Sequence, residues 1–260
     1  MASSVALFVP CYVDQFFPHV AIAALTVLER LGIKVDVPDG AACCGQPAAN
    51  AGFAREGHST LARFVDVYAP YERIIVLSGS CAVHVKQHAG EVAAHGGQTD
   101  SAGERVAERT TEFCSYLHDE LGVDWIAGLG ATYSGRVAVH IGCHALRGLG
   151  LARPSELQIR PFDKVRALLG AVRGLEIAEL ARPDECCGFG GTFAVGEPAV
   201  STKMGRDRLR DITTHGAQAV VSTDMSCLMH LDGLARRERM GLPMYHVAEV
   251  LAGTAGGSRR

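Results

Sequence analysis

The sequence predicts an α/β fold built from two similar units. Three observations predict it. Short apolar runs rich in Val and Ile alternate along the chain with longer stretches of helical spacing. A Cys-Cys-Gly triplet occurs twice, at Cys43-Cys44-Gly45 and Cys186-Cys187-Gly188. The residues flanking one triplet also match, in order, those flanking the other. Strands alternating with helices imply parallel sheets. Each unit therefore reads as a Rossmann-like repeat, a small parallel sheet flanked by helices.

In the first unit, Val5 to Val9 is a buried strand followed by Cys11. His19 to Leu31 has helical spacing and stops at Gly32. Ile33 to Val37 is a second strand that leads to the first triplet. Pro47 suits the first turn of the next helix, which runs from about Gly52 to Tyr68. Arg73 to Leu77 is a third strand, ending near Cys81. The second unit matches: strand Arg136 to Ile141, then Cys143; helix Phe162 to Val172; short strand Leu175 to Ala178, then Cys186. Helix Glu197 to Thr214 and strand Ala219 to Ser222 follow, and then Cys227. Gly128 to Gly135 separates the units, so the expected domains are 1–127 and 136–252. The remainder, 253–260, is small, Gly-rich and basic at its end, and is expected to be disordered.

Composition narrows the function. The 260 residues are 48% hydrophobic and 20% charged, as a packed core requires. A formal charge of −3 gives no global electrostatic reason to expect nucleic acid as a partner. No apolar run is long enough to span a bilayer. Met1 to Pro10 lacks a basic start and reads as a strand, not a signal peptide. The expected location is the cytoplasm, with room for peripheral contact with a membrane complex. Nine cysteines in such a chain point to metal or redox chemistry in preference to disulfides.

Eight of the nine cysteines fall into two matching sets. Each triplet has one cysteine well upstream, Cys11 or Cys143, and one well downstream, Cys81 or Cys227. Loops at the carboxyl ends of parallel strands gather on one edge, so residues far apart in sequence can meet there. Four thiolates at one point suit an iron–sulfur cluster. Gly45 and Gly188 can adopt positive φ and bring backbone N–H groups close to sulfur. Gly190 and Gly191 add backbone of the same kind. Zinc is the rival metal, but structural zinc sites commonly use close Cys-x-x-Cys pairs, and none is present. A zinc-binding structural or sensing module without turnover therefore stays as an alternative. Cys114 has no counterpart and reads as a small buried apolar residue on a helical pattern. His84 and His230 each follow a downstream cysteine by three residues. They read as packing or hydrogen-bonding groups, with direct ligation of iron as the other option. His144, beside Cys143, is a candidate donor to the site, and His140 a structural residue on an alternating strand.

At this level of detail the chain resembles the lactate-utilisation protein A family, which carries two Cys-Cys-Gly cysteine-rich domains. The shared residues are Cys43-Cys44-Gly45-Gln46-Pro47, Gly79-Ser80-Cys81, Cys186-Cys187-Gly188-Phe189-Gly190-Gly191-Thr192-Phe193, Ser226-Cys227-Leu228 and the run His246 to Leu251. The resemblance implies an iron–sulfur electron-transfer subunit of a complex that oxidises L-lactate to pyruvate with B- and C-type partner proteins. Four cysteines per half, Cys11, Cys43, Cys44 and Cys81 and then Cys143, Cys186, Cys187 and Cys227, suit two ordinary four-iron (4Fe-4S) clusters, or unusual ones completed by another ligand. The same domain pair occurs in the iron–sulfur subunit of glycolate oxidase and in the heterodisulfide reductase B subunit, which are the alternative functions. The heterodisulfide reductase pattern ends Cys-x-x-Cys, whereas this chain has His84 and His230 at the last position.

A dehydrogenase that works alone needs a nicotinamide or flavin site. The only Gly-rich candidate, Gly188 to Phe193, has Phe193 where a dinucleotide loop needs its last glycine. The chain is therefore expected to relay electrons and leave hydride transfer to a partner.

Overall fold

The computed structural model describes residues 5–41, 43–92 and 101–256. The first half runs β1 (Val5–Phe8), α1 (Cys11–Phe16), α2 (Pro18–Arg30), β2 (Val35–Asp36), α3 (Gln46–Asn50) and α4 (Ala54–Tyr68). It continues β3 (Arg73–Val76), α5 (Gly79–His88), α6 (Ser101–Arg109), β4 (Thr110–Glu112) and α7 (Phe113–Ser115). After α8 (Val123–Ala127), the second half runs β5 (Thr132–His140), α9 (Cys143–Leu149), α10 (Lys164–Gly170), β6 (Arg173–Ile177) and α11 (Phe193–Gly196). It closes with α12 (Pro198–Thr214), β7 (Ala219–Ser222), α13 (Met225–Arg237), β8 (Met244–His246) and α14 (Val247–Ala252).

Each half is a four-stranded parallel sheet, in the orders β2-β1-β3-β4 and β6-β5-β7-β8. The α/β repeat expected from the sequence is what forms. The fourth strands, β4 and β8, extend it. They are three residues each and carry polar residues such as Thr110, Glu112 and His246, so no apolar run marks them. The expected strand over Ile33 to Val37 pairs only at Val35–Asp36. The helix expected over Phe162 to Val172 is Lys164–Gly170, capped by Asp163, whose side chain accepts from the Arg166 N–H at 2.8 Å. The tail expected over 253–260 falls partly on residues 257–260, which lie outside the described residues.

Strand alternation sorts side chains onto two faces. Leu7 and Ile75 of the first sheet share one core with Val137, Val139 and Val221 of the second. On the outer faces, Ala6, Phe8, Ile74 and Val76 pack under α4 and α5, and Ala138 and Val220 pack under α12 and α13. Cys114 is fully buried in the shared core. The halves also meet at their helices, where α5 lies on α9. A Cβ at Gly79 would come within 2.4 Å of the Ala145 Cβ, so only glycine allows that approach. Among the described residues, no helix is long and apolar enough to cross a membrane.

Candidate metal centres

Parallel strands point their carboxyl ends the same way, and in each half this gathers four cysteines at one edge. Cys11 opens α1 beyond β1, Cys43 and Cys44 lie on the loop before α3, and Cys81 is in the first turn of α5 beyond β3. Their sulfurs form a chain of hydrogen-bonding neighbours, Cys11 with Cys43, Cys43 with Cys44, and Cys44 with Cys81. The second half repeats the arrangement. Cys143 opens α9, Cys186 and Cys187 precede α11, and Cys227 is in the first turn of α13. Cys143 meets Cys186, Cys186 meets Cys187, and Cys187 meets Cys227. All eight are free thiols.

One sulfur is central in each quartet. Hydrogen bonds from Cys11 and Cys44 hold Cys43 well below the ordinary thiol range, and bonds from Cys143 and Cys187 do the same for Cys186. The outer thiols Cys11, Cys44, Cys143 and Cys187 are pushed up by the same bonds and by burial. Backbone amides complete the cradle. Gly45 N–H donates to Cys43 Sγ at 3.4 Å, Gly188 N–H to Cys186 Sγ at 3.3 Å and Phe189 N–H to Cys187 Sγ at 3.5 Å. Four crowded sulfurs repel one another as thiolates unless a cationic centre sits among them. The donor set therefore fits a thiolate-bound metal or iron–sulfur group.

Gly45 and Gly188 are indispensable to this geometry. Their φ angles are +91° and +89°, in the left-handed region. A Cβ would fall 2.4 Å from the Gly57 carbonyl oxygen in the first half and 2.6 Å from that of Ser201 in the second.

The two quartets open on one cleft of about 400 Å³, lined by every one of the eight cysteines except Cys43. Gly190 and Gly191 line it as well. Tyr12 of the first half and Phe189 of the second meet edge to face, with ring centroids 6.0 Å apart.

Asp224 ties the two sides together. Its Oδ1 accepts from the Ser226 N–H at 3.0 Å and the Ser226 hydroxyl at 2.6 Å. Its Oδ2 accepts from the Ser78 hydroxyl at 2.8 Å and the Ser80 N–H at 3.1 Å. A single carboxylate thus caps α13 and reaches the first turn of α5 in the other half, next to Cys227 and Cys81. Burial opposes its charge, but the bonds from Ser226, Ser78 and Ser80 prevail and hold it below the usual carboxylate range.

The histidines divide by position. Burial pushes His84 down to about 4, and it also lowers His230, so both rings stay neutral at neutral pH. Each sits near its central sulfur, Cys43 or Cys186, and each has a buried Nε2 without a hydrogen-bond partner. His144 Nδ1 lies 3.7 Å from Cys143 Sγ. His140 is closer to the second site than its place on an alternating strand implied. One of its ring nitrogens, Cys187 Sγ and Cys227 Sγ all lie within 4.8 Å of one another.

Comparison with known proteins agrees with this geometry. The model of the CCG cysteine-rich domain matches twice, at residues 5–86 and 137–232. Lactate utilization protein A of Geobacillus kaustophilus is 35% identical over 250 residues, covering 95% of this chain and 98% of that protein. This chain belongs to the lactate utilization protein A family. The Bacillus subtilis protein of the same name is 33% identical over 247 residues, covering 95% of this chain and 98% of that protein. Lactate utilization protein A 1 of Bacillus mycoides is 32% identical over 247 residues, covering 95% and 96%.

In this member of the lactate utilization protein A family, sequence reasoning missed two groups at the site. Asp224 was legible in principle, because it aligns with Ser78 as the residue three before the downstream cysteine. Arg208, fully buried beside His140, was not. On an otherwise charged helix it looks like any surface arginine.

Proposed function

We propose that the chain is the iron–sulfur electron-transfer subunit of a complex that oxidises L-lactate to pyruvate. Cys11, Cys43, Cys44 and Cys81 hold one four-iron cluster in a domain spanning 1–127. Cys143, Cys186, Cys187 and Cys227 hold the other in a domain spanning 136–252. The observation that carries this reading is the convergence of four thiols at the carboxyl edge of each sheet, with both sets opening on one cleft. The relatives named for lactate utilization supply the substrate.

Bound clusters supply one-electron storage that no side chain offers. The protein's own residues place and tune it. The amides of Gly45, Gly188 and Phe189 donate to the ligand sulfurs. The backbones of Gly190 and Gly191 face the cleft. Asp224 locks the two downstream cysteine helices to each other, which keeps the two centres in one fixed relation. The absence of a dinucleotide loop leaves lactate's proton and hydride chemistry to B- and C-type partners in the cytoplasm.

Genetics tests the assignment. Loss of this chain is expected to abolish growth on L-lactate as carbon source and to leave growth on pyruvate intact. The wild-type chain should restore growth and Cys187→Ala should not. Undiminished growth on L-lactate without the chain would overturn the reading.

A further inference from the structure

The two quartets match in their cysteines, triplet glycines and downstream histidines, but not in what lies beneath them. Phe8 and His140 occupy the same place, each in the last residue pair between the first and third strands of its sheet. Phe64 and Arg208 also correspond. Each lies three residues past the helix amide, Leu61 or Gly205, that faces the Cβ position of the triplet glycine at 3.4 or 3.3 Å. In the first half the pair is aromatic, with Phe8 and Phe64 edge to face at 4.9 Å. In the second it is polar, with Arg208 Nε donating to His140 Nδ1 at 3.2 Å. Both members are completely buried.

The bond to Arg208 fixes the state of the ring. Nδ1 accepts, so it carries no proton, and the neutral imidazole must carry its proton on Nε2. Nε2 is buried and has no hydrogen-bond partner. One ring nitrogen lies within 4.8 Å of the Cys187 and Cys227 sulfurs, and Nε2 is the one that Arg208 leaves free. Metal ligation by Nε2 would need a lone pair there and a proton on Nδ1, pointed at the Arg208 N–H. With Nδ1 engaged by Arg208, the ring therefore offers a proton on Nε2 and not a lone pair. Arg208 is held in place by the carbonyls of Arg182 at 2.6 Å and of Val139 and Pro183 at 3.2 Å each. Its charge is offset by Asp211 at 3.5 Å, so the pair brings little net charge to the site.

We propose that His140, oriented by Arg208, would donate its Nε2–H to sulfur of a cluster held by Cys187 and Cys227, and makes the second cluster the more easily reduced of the two. Hydrogen bonds to cluster sulfur raise reduction potential. The first centre has Phe8 in that place and no such donor. His84 and His230 sit at matching positions, and Gln46 N–H serves Cys44 as Phe189 N–H serves Cys187, so these groups act on both centres alike. His140 is a positioning residue, and electrons entering the cleft would settle on the second centre.

This inference rests on the iron–sulfur reading, and redox titration of the full chain, followed by electron spin resonance, separates the two. Iron and sulfide are counted first. Wild-type protein should titrate in two waves. Cys44→Ala should retain only the higher wave and Cys187→Ala only the lower. His140→Phe should keep its iron and sulfide while the higher wave falls by at least tenfold in equilibrium constant, about 59 mV for one electron. The lower wave should stay fixed. His140→Gln, which keeps an acceptor for Arg208 and an N–H donor, should lie above His140→Phe. An unmoved higher wave in His140→Phe would overturn the proposal even with both clusters present. A second centre that titrates at or below the first, assigned from the cysteine variants alone, would overturn it without any His140 variant. Protein with no iron would remove the iron–sulfur reading and this inference together.

Discussion

Cys187→Ala protein, purified without oxygen, is expected to carry about half the iron and sulfide of the wild type and to retain the first cluster intact. Cys187 is buried and linked to both Cys186 and Cys227, so its loss breaks the second quartet in the middle. The first quartet shares no sulfur with it. Each of its links, Cys11 to Cys43, Cys43 to Cys44 and Cys44 to Cys81, lies within the first half. Cys44→Ala should give the mirror result. Iron analysis together with spin-resonance spectra of the two variants checks this. Loss of all iron in either variant would mean that the halves share one centre across the cleft.

Gly188→Ala is expected to have an effect nearly as large by a different route. The left-handed φ costs an L-residue about 1–2 kcal/mol. The added Cβ would press on the Ser201 carbonyl oxygen at 2.6 Å and the Met204 Cβ at 2.8 Å. The oxygen is backbone and cannot rotate away, so overpacking adds about 1–3 kcal/mol. At roughly 2–4 °C per kcal/mol, Tm should fall by about 10 °C. The same strain tilts the loop that carries Cys186 and Cys187, so cluster content should fall with it. Gly45→Ala, which meets the Gly57 carbonyl oxygen, should behave alike. Thermal unfolding and iron analysis of both variants test the claim. A Tm within a degree of wild type would contradict it.

The repeat was legible because the two features that define it are local. A Val- and Ile-rich run followed by a cysteine marks β1, β3, β5 and β7 in turn, and a Cys-Cys-Gly triplet marks each intervening loop. Helix ends were less visible. The short helices that begin at Cys11 and Cys143 have too few residues to show a period. The fourth strands hide for a similar reason, since Thr110–Glu112 and Met244–His246 contribute three ladder residues each. Facts that depend on packing of one half against the other were not legible at all. No sequence spacing places Asp224 on Ser78, lays α5 on α9 or opens both quartets on one cleft. The buried His140–Arg208 pair is the sharpest case. Its counterpart is Phe8–Phe64, and only the superposed strands and helices reveal that a hydrogen-bonded pair stands where the repeat has two rings.

Cleft geometry also accounts for why the two sites belong in one chain. With every cysteine except Cys43 lining the same space, both centres are reached from one opening. Asp224, buried and bonded to serines of both halves, keeps that opening from widening.

Counting metal and sulfide in anaerobically purified wild-type protein decides the matter most directly. Two quartets of thiolates around four-iron clusters predict a brown protein with iron and acid-labile sulfide in near-equal amounts, on the order of eight of each per chain. A colourless protein that holds zinc and no sulfide would contradict the account.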